Sequence, residues 1–474
     1  MARFNQTVTG SKTTNLANGE AYIQSPEMAL ISILLTSFAN EQFYRSANST
    51  FEELKKLISK CDPKFVAQAV IYARTVYGMR SISHVCASEL GKYIAGKPYA
   101  KSFYNQVVVR PDDMMEILSY HIGAKNKVSN AMKKGFAQAF NRFDAYQLAK
   151  YRAGNKKMKL VDVVNLVHPI PIKENESALK ALIANDLHSF DTWEAELTKA
   201  GQQASDEIEK GELKKEVWVR LISERKIGYF ALLRNLRNII QQAPDILPQA
   251  LDMLTDVRLI KKSLVLPFRY MIAYEELKKE NSDLSRKAIT AINEAIELSL
   301  INVPRFEGRT LVALDISGSM SGRPAEIGSL FAAVLAKGND CDVILFENTA
   351  KYTYYNAGDS VSTIRDCFRF SAGGTNFHSI FKTANKVYDR IIILSDMQAW
   401  IGQYTPKLAF TKYKTDYNCN PYIYSFDLQG YGTLQFPEQK VFCLTGFSDK
   451  VFDIMSLLET DKNVLINKIK SIEL

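Results

Sequence analysis

Cysteine and histidine are both scarce in this chain, at six and five in 474 residues. Cys61, Cys86, Cys341, Cys367, Cys419 and Cys443 form no C-x-x-C pair, and the histidines are equally scattered. That spacing excludes a zinc-ribbon or zinc-finger pattern, and reduced thiols are the expectation. Long apolar runs are also missing. Met28–Leu35 is the longest of note, whereas a membrane-spanning helix needs about 20 apolar residues. The opening residues Met1–Gln6 lack the apolar core of a secretory signal. A cytoplasmic protein that does not enter membranes is expected. No G-x-x-x-x-G-K-[ST], H-E-x-x-H or G-x-S-x-G pattern occurs, which removes the common phosphate-loop, zinc-protease and serine-hydrolase signatures. The expectation is a protein that is not an enzyme.

Acid is missing from one stretch in particular. Between Lys125 and Lys159 stand ten basic residues, namely Lys125, Lys127, Lys133, Lys134, Arg142, Lys150, Arg152, Lys156, Lys157 and Lys159, against Asp144 alone. A solvated helix face normally interleaves both signs. A surface of one sign reads as an electrostatic footprint for a polyanion. From Arg305 onward basic and acidic residues are equal at 18 each, so the whole net charge of +9 belongs to the first 304 residues. Arg142 and Arg152 suit bidentate phosphate contact. Phe140, Phe143, Tyr146 and Tyr151 are interleaved with the basic residues and are able to stack on bases, although their helical spacing favours core packing.

The texture of the chain changes near Val303-Pro304. Before it, amphipathic segments follow one another with short breaks: Met28–Phe38, a helix started by Asp62-Pro63 and stopped at Gly78, Met114–His121, Ala131–Tyr151, Ile227–Ile240 and Ile292–Leu300. No strand-like alternation stands out. So many short helices predict an α-solenoid of stacked repeats over residues 1–304. From Thr310, the runs Leu311–Leu314, Val343–Phe346, Ile391–Leu394, Tyr422–Phe426 and Val441–Leu444 alternate with helical stretches at Ala325–Leu335, Thr375–Val387 and Asp449–Glu459. That alternation predicts a doubly wound, Rossmann-like parallel sheet over residues 305–474, with Lys462–Leu474 as a closing helix. Ligands of such sheets sit beyond the carboxyl ends of the strands.

Asp315-Ile316-Ser317-Gly318-Ser319 stands at one such end and places a carboxylate and two hydroxyls on a tight turn. Thr375, after Gly373-Gly374, and Asp396, ending Ile391–Asp396, are able to join it. Oxygen donors of this kind suit a hard divalent cation such as Mg2+. With few carboxylates the ion would stay under-neutralised, and a partner's carboxylate or phosphate oxygen would replace a water. Asp315, Ser317, Ser319, Thr375 and Asp396 together resemble the metal-ion-dependent adhesion site of the von Willebrand factor A family.

Three further segments resemble the TROVE module of the Ro autoantigen family: Lys226–Ile239, the stretch Leu148–Arg152 continuing to Leu166-Val167-His168-Pro169, and Gly78-Met79-Arg80-Ser81. An A domain after that module is the family's architecture. The resemblance implies a HEAT-like repeat ring closed by the A domain, acting as a monomeric ring. It implies partners as well: small noncoding Y-type RNA on the basic outer face, single-stranded 3′ ends of misfolded RNAs in the central hole, and an exoribonuclease reached through the RNA. The RNA-binding set carried over or read from charge is Lys133, Lys134, Arg142, Lys150, Arg152, Lys156, Lys157, His168, Arg234 and Arg237. In the family's Lys-Tyr-basic-x-Arg-Asn stretch, Lys150 and Arg152 match, but the next arginine is Gly154 here, followed by Asn155. Arg234 and Arg237 share a helix face that either lines a pore or pairs with acids of a neighbouring repeat. A second class of function is a metal-dependent protein-interaction scaffold using the A domain.

Overall fold

The computed structural model describes residues 12–14, 20–23, 25–36, 47–152, 158–187, 193–371, 373–398, 406–429, 433–434, 441–445, 455 and 464–474. Among the described residues, helices follow one another from Pro26 to Ser299. The helix Pro63–Thr75 shows why they form. The Asp62 carboxylate accepts from the backbone N–H groups of Lys64 and Phe65, Pro63 occupies the first turn, and Phe65, Val66, Ala69, Val70 and Ala73 are buried. Successive helices pack on near neighbours along the array, up to Asp283–Ser299. This is the helical-repeat arrangement expected from the sequence.

Two helices expected as one are separate. Ala131–Tyr151 divides into Asn130–Phe140 and Ala145–Tyr151. The division falls at a capping box, in which Asp144 accepts from the Gln147 backbone N–H at 2.7 Å and Gln147 Oε1 accepts from the Asp144 N–H at 3.2 Å. The Thr375–Val387 stretch forms helix only over His378–Thr383. An N-terminal hairpin was not expected from the sequence. Its strands are β1 (Lys12–Thr14) and β2 (Glu20–Ile23). The predicted helix Asp449–Glu459 lies outside the described residues except for Met455.

The C-terminal sheet contains β3 (Thr310–Asp315), β4 (Asp342–Phe346), β5 (Ala350–Thr353), β6 (Arg390–Ser395), β7 (Tyr422–Asp427) and β9 (Val441–Thr445). The short β8 (Thr433–Leu434) lies elsewhere, against β2. The order is β5-β4-β3-β6-β7-β9, all parallel except the edge strand β5, which runs antiparallel to β4. Both faces are covered, as parallel sheets require. Val312, Leu314, Val343, Leu345, Ile392 and Leu394 join the core shared with the helical array. Leu311, Ala313, Ile344, Ile391 and Ile393 pack instead with Phe377, Phe381, Phe410 and Tyr413. The strand order reverses between β3 and β6, so their carboxyl ends flank a switch-point crevice.

The sheet domain also joins both ends of the array. At the near end, β2 pairs with β8, Gln68 Nε2 donates to the Lys470 and Ile472 carbonyls at 2.7 and 2.8 Å, and Lys470 pairs with Glu27 at 3.3 Å. At the far end, Lys337 pairs with Glu297 at 2.6 Å, and Ser362 Oγ donates to Asn293 Oδ1 at 3.0 Å. The chain therefore closes on itself through the sheet domain.

Candidate nucleic-acid interface and cation site

Helix Asn130–Phe140 carries Lys133 and Lys134. Ser129 caps it, and Met132, Phe136, Ala139 and Phe140 are its buried face. Gly135 allows it to lie against helix Ala100–Gln106. A Cβ there would stand 2.6 Å from both the Lys101 carbonyl oxygen and the Tyr104 Cβ. Gly135→Ala is expected to cost about 1–3 kcal/mol through overpacking, read as a lower midpoint in urea unfolding. No acid lies on this helix. Lys125, Lys127, Lys133 and Lys134 have no carboxylate partner within ion-pair distance among the described residues. The loop bearing His168 is strapped to the end of the same helix: Asn141 Nδ2 donates to the Ile170 carbonyl at 3.0 Å and Asn175 Nδ2 to the Phe140 carbonyl at 2.9 Å. His168 itself is exposed and left-handed (φ 48°), closing helix Leu160–Val167.

The other basic residues are differently employed. Arg142 donates to the Val108 carbonyl at 2.7 Å and to that of Asn105, docking one helix end on another. Arg152 donates to the Leu187 carbonyl at 2.6 Å. Lys150 pairs with Glu194 at 3.3 Å and lies 5.7 Å from the Tyr146 ring centroid. Lys156 and Lys157 lie outside the described residues, as does Gly154. Phe140 and Phe143 are core residues, whereas Tyr151 lies beneath the Arg110 guanidinium, 4.3 Å from its ring centroid.

Arg234 and Arg237 are exposed on helix Tyr229–Gln242 and line a groove of about 410 Å³ with Phe230, Arg269, Ile272 and Glu276. Arg237 pairs with Glu276 at 3.1 Å. Arg237 thus pairs with an acid of a neighbouring helix, and both arginines border a surface groove. Phe230 and Ile272 are 41% and 73% exposed beside them, so the groove mixes apolar surface with positive charge.

Beneath the basic region lies an ion network that sequence reading did not identify. Asp113 is fully buried, with both oxygens engaged by Arg74 at 2.8–3.2 Å and Oδ1 at 2.9 Å from His84 Nε2. Its Oδ2 also accepts from the Val109 and Arg110 backbone N–H groups at 2.9 Å. Asp112 receives Arg80 at 2.7 Å and Arg110 at 2.8 Å. Arg80, part of Gly78–Ser81, therefore holds neighbouring helices together.

At the switch point, Asp315 ends β3, and its Oδ1 accepts from the Ser317 N–H at 2.9 Å. Its Oδ2 accepts from Ser395 Oγ at 2.6 Å. The Ser317 and Ser319 hydroxyls are 3.4 Å apart. The loop carrying buried Thr375 is tied to the same turn by Gly318 N–H to the Gly373 carbonyl at 3.1 Å and Ser371 N–H to the Ile316 carbonyl at 3.1 Å. A Cβ on Gly373 would stand 1.9 Å from Glu347 Oε2, so a larger residue there would displace the Glu347 side chain. Asp396 is fully buried. Its Oδ1 accepts from the Gln398 N–H at 3.2 Å, and its Oδ2 makes no hydrogen bond within normal limits among the described residues, although the Ser319 hydroxyl lies close enough to favour its charged form.

Burial raises both carboxyls above the usual range, and the charge of Asp315 adds to the rise at Asp396. Two buried acids with an orphaned oxygen and neighbouring hydroxyls are a donor set suited to one hard cation. Among the described residues no three His, Cys, Asp or Glu side chains converge as a metal-binding group. A zinc-type or multi-carboxylate centre is thus not formed there.

A closed helical-repeat array completed by a doubly wound domain, with an oxygen-rich switch point, is the class of protein these features define. The TROVE domain model matches residues 9–210 and 185–318, and the chain belongs to that family. The fold is that of the RO (RSR) protein of Deinococcus radiodurans, with a TM-score of 0.66 at 16% identity, covering 92% of this chain and 100% of that one. Telomerase protein component 1 of Rattus norvegicus is 20% identical over 381 residues, 59% of this chain and 14% of its own length. The Mus musculus counterpart is 20% identical over 357 residues, 56% of this chain and 13% of its own. The chain thus spans about one seventh of the length of these curated relatives.

Proposed function

We propose that this chain is a noncatalytic RNA-binding protein that forms a ribonucleoprotein with small, structured Y-type RNA and takes up single-stranded 3′ ends of misfolded RNA. The observation that carries the reading is the acid-free basic helix Asn130–Phe140, with Lys133 and Lys134 lacking carboxylate partners among the described residues and the His168 loop bound to its end. Charge without acid neighbours neutralises phosphate, releases counterions and gives binding with little sequence preference. The TROVE family match supports the same reading. For a single-stranded end, the Arg234–Arg237 groove offers guanidinium groups for phosphate and an exposed ring, Phe230, for base stacking. Asp315, Ser317, Ser319, Thr375 and Asp396 would hold a divalent cation of the Mg2+ class, which supplies a Lewis-acidic docking point when bound.

The test is fluorescence anisotropy with a labelled stem-loop RNA carrying a single-stranded tail. With about four phosphates neutralised, affinity is expected to fall about a hundredfold between 50 and 200 mM salt. A flat salt response would reject phosphate capture by the basic helix. RNA cleavage by the purified protein would reject the noncatalytic reading.

A further inference from the structure

Residues 168–175 form a strap beside the acid-free helix, and its isoleucines stand in solvent: Ile170 is 84% exposed and Ile172 41%. The strap is nevertheless fixed. His168 donates its N–H to the Val164 carbonyl at 2.9 Å and turns the chain through the left-handed region. Asn141 Nδ2 holds the Ile170 carbonyl, Asn175 Nδ2 holds the Phe140 carbonyl, and the Ile172 N–H donates to Asn175 Oδ1 at 3.1 Å. Pro169 and Pro171 bracket Ile170 and fix a backbone angle on either side of it. The β-branched side chain between them is itself stiff. Lys173 and Glu174 are adjacent and offset each other, so the strap brings a rigid apolar point to this face rather than charge. That point ends a polar stripe. Lys134, Gln138 and Asn141 stand at i, i+4 and i+7 of helix Asn130–Phe140 and its C-cap, which is one helix face. Lys134 and Gln138 are exposed, and Asn141 is the residue that grips Ile170. Two helical turns, about 10 Å along the axis, separate Lys134 from that grip.

We propose that Ile170 is a specificity residue for RNA, packing against the face of an unpaired base while Lys134 holds a phosphate of the adjoining duplex. The proposal rests on the RNA reading above and adds to it a reason to prefer RNA with unpaired bases over continuous duplex. Stacking closes off base faces within a continuous helix, whereas loops and ends expose them. Isoleucine is among the apolar side chains that nucleic-acid-binding proteins press against base steps. The charge beside Ile170 argues for this occupant, because the stripe leading to it is basic and free of acid, which favours a polyanion. The strap is already tethered, so contact demands little further ordering.

The test is fluorescence anisotropy of the full chain with two labelled RNAs of equal phosphate number, a tailless stem-loop and a continuous duplex. Ile170→Ala is expected to weaken stem-loop binding about tenfold and duplex binding less than about twofold. The slope of log affinity against log salt should stay that of the wild type, because an apolar contact releases no counterions. Ile170→Phe, which offers a ring for stacking, is expected to bind the stem-loop at least as well as the wild type. An unchanged melting temperature in both variants checks that so exposed a position leaves folding intact. Unchanged stem-loop affinity in Ile170→Ala overturns this proposal and leaves the strap to a protein partner. The RNA reading survives that result if Lys133→Glu with Lys134→Glu still weakens binding. Equal losses on the two RNAs, or a changed salt slope, also overturn the proposal, because Ile170 then does not distinguish unpaired bases. Wild-type protein that binds neither RNA overturns the RNA reading and this inference together.

Discussion

Asp113→Asn is expected to destabilise the fold by about 3–5 kcal/mol, the cost of breaking a buried ion pair by removing one partner. The substitution leaves the 5%-exposed Arg74 guanidinium without its counter-charge and removes an acceptor from His84 and from two backbone N–H groups. Urea unfolding followed by circular dichroism reads the loss directly. The same group sets an acid limit. Burial opposes ionisation of Asp113, but the hydrogen bond from His84 and the charge and hydrogen bond of Arg74 outweigh it and hold the carboxyl well below the usual range. A carboxyl depressed in the folded state stabilises the fold above its unfolded pKa, about 3.9. As pH falls below that, the unfolded chain takes the proton first and stability is lost. The wild-type unfolding midpoint should therefore fall below about pH 4, and Asp113→Asn should flatten that slope. An unchanged slope would assign the acid limit to other carboxylates.

The parts of this protein legible in its sequence are those whose signal is local. β3, β4, β6, β7 and β9 read as apolar runs because a parallel sheet covered on both faces needs no polar alternation. Asp315 and Asp396 were legible as strand-end residues at the switch point because strand ends fix where a turn must be, and the turn after β3 carries the Ser317 and Ser319 hydroxyls. The antiparallel edge strand β5 and the β1–β2 hairpin were not legible. Both are short, and β2 finds its second neighbour in β8, some 400 residues away. Partners were equally hidden. Arg74 meets Asp113 across 39 positions and Lys150 meets Glu194 across 44, and nothing local announces either. The types of Arg142 and Arg152 suggested phosphate, yet both guanidinium groups contact carbonyls at the ends of other segments.

Charge reversal of the basic helix carries the second large effect. Lys133→Glu with Lys134→Glu is expected to weaken binding of a tailed stem-loop RNA about 10–100-fold near 0.1 M salt. Each phosphate no longer neutralised lowers the slope of log affinity against log salt by about 0.7–0.9, so the two together should flatten it by about 1.4–1.8. Affinity and slope must change together, because both measure the same released counterions. Folding should be spared. Lys134 is exposed on the face opposite Met132 and Phe136, where surface changes stay within about 0.5 kcal/mol, and Lys133 is half-buried on the flank of the buried face. Lys150→Glu is the informative comparison. Its ammonium already pairs with Glu194, so reversing it removes less free positive charge and adds repulsion at that pair. A larger loss of RNA affinity from Lys150→Glu than from the double variant would move the interface off helix Asn130–Phe140 and onto helix Ala145–Tyr151. Equal affinity and equal slope in the double variant would leave the acid-free helix without a role in RNA capture.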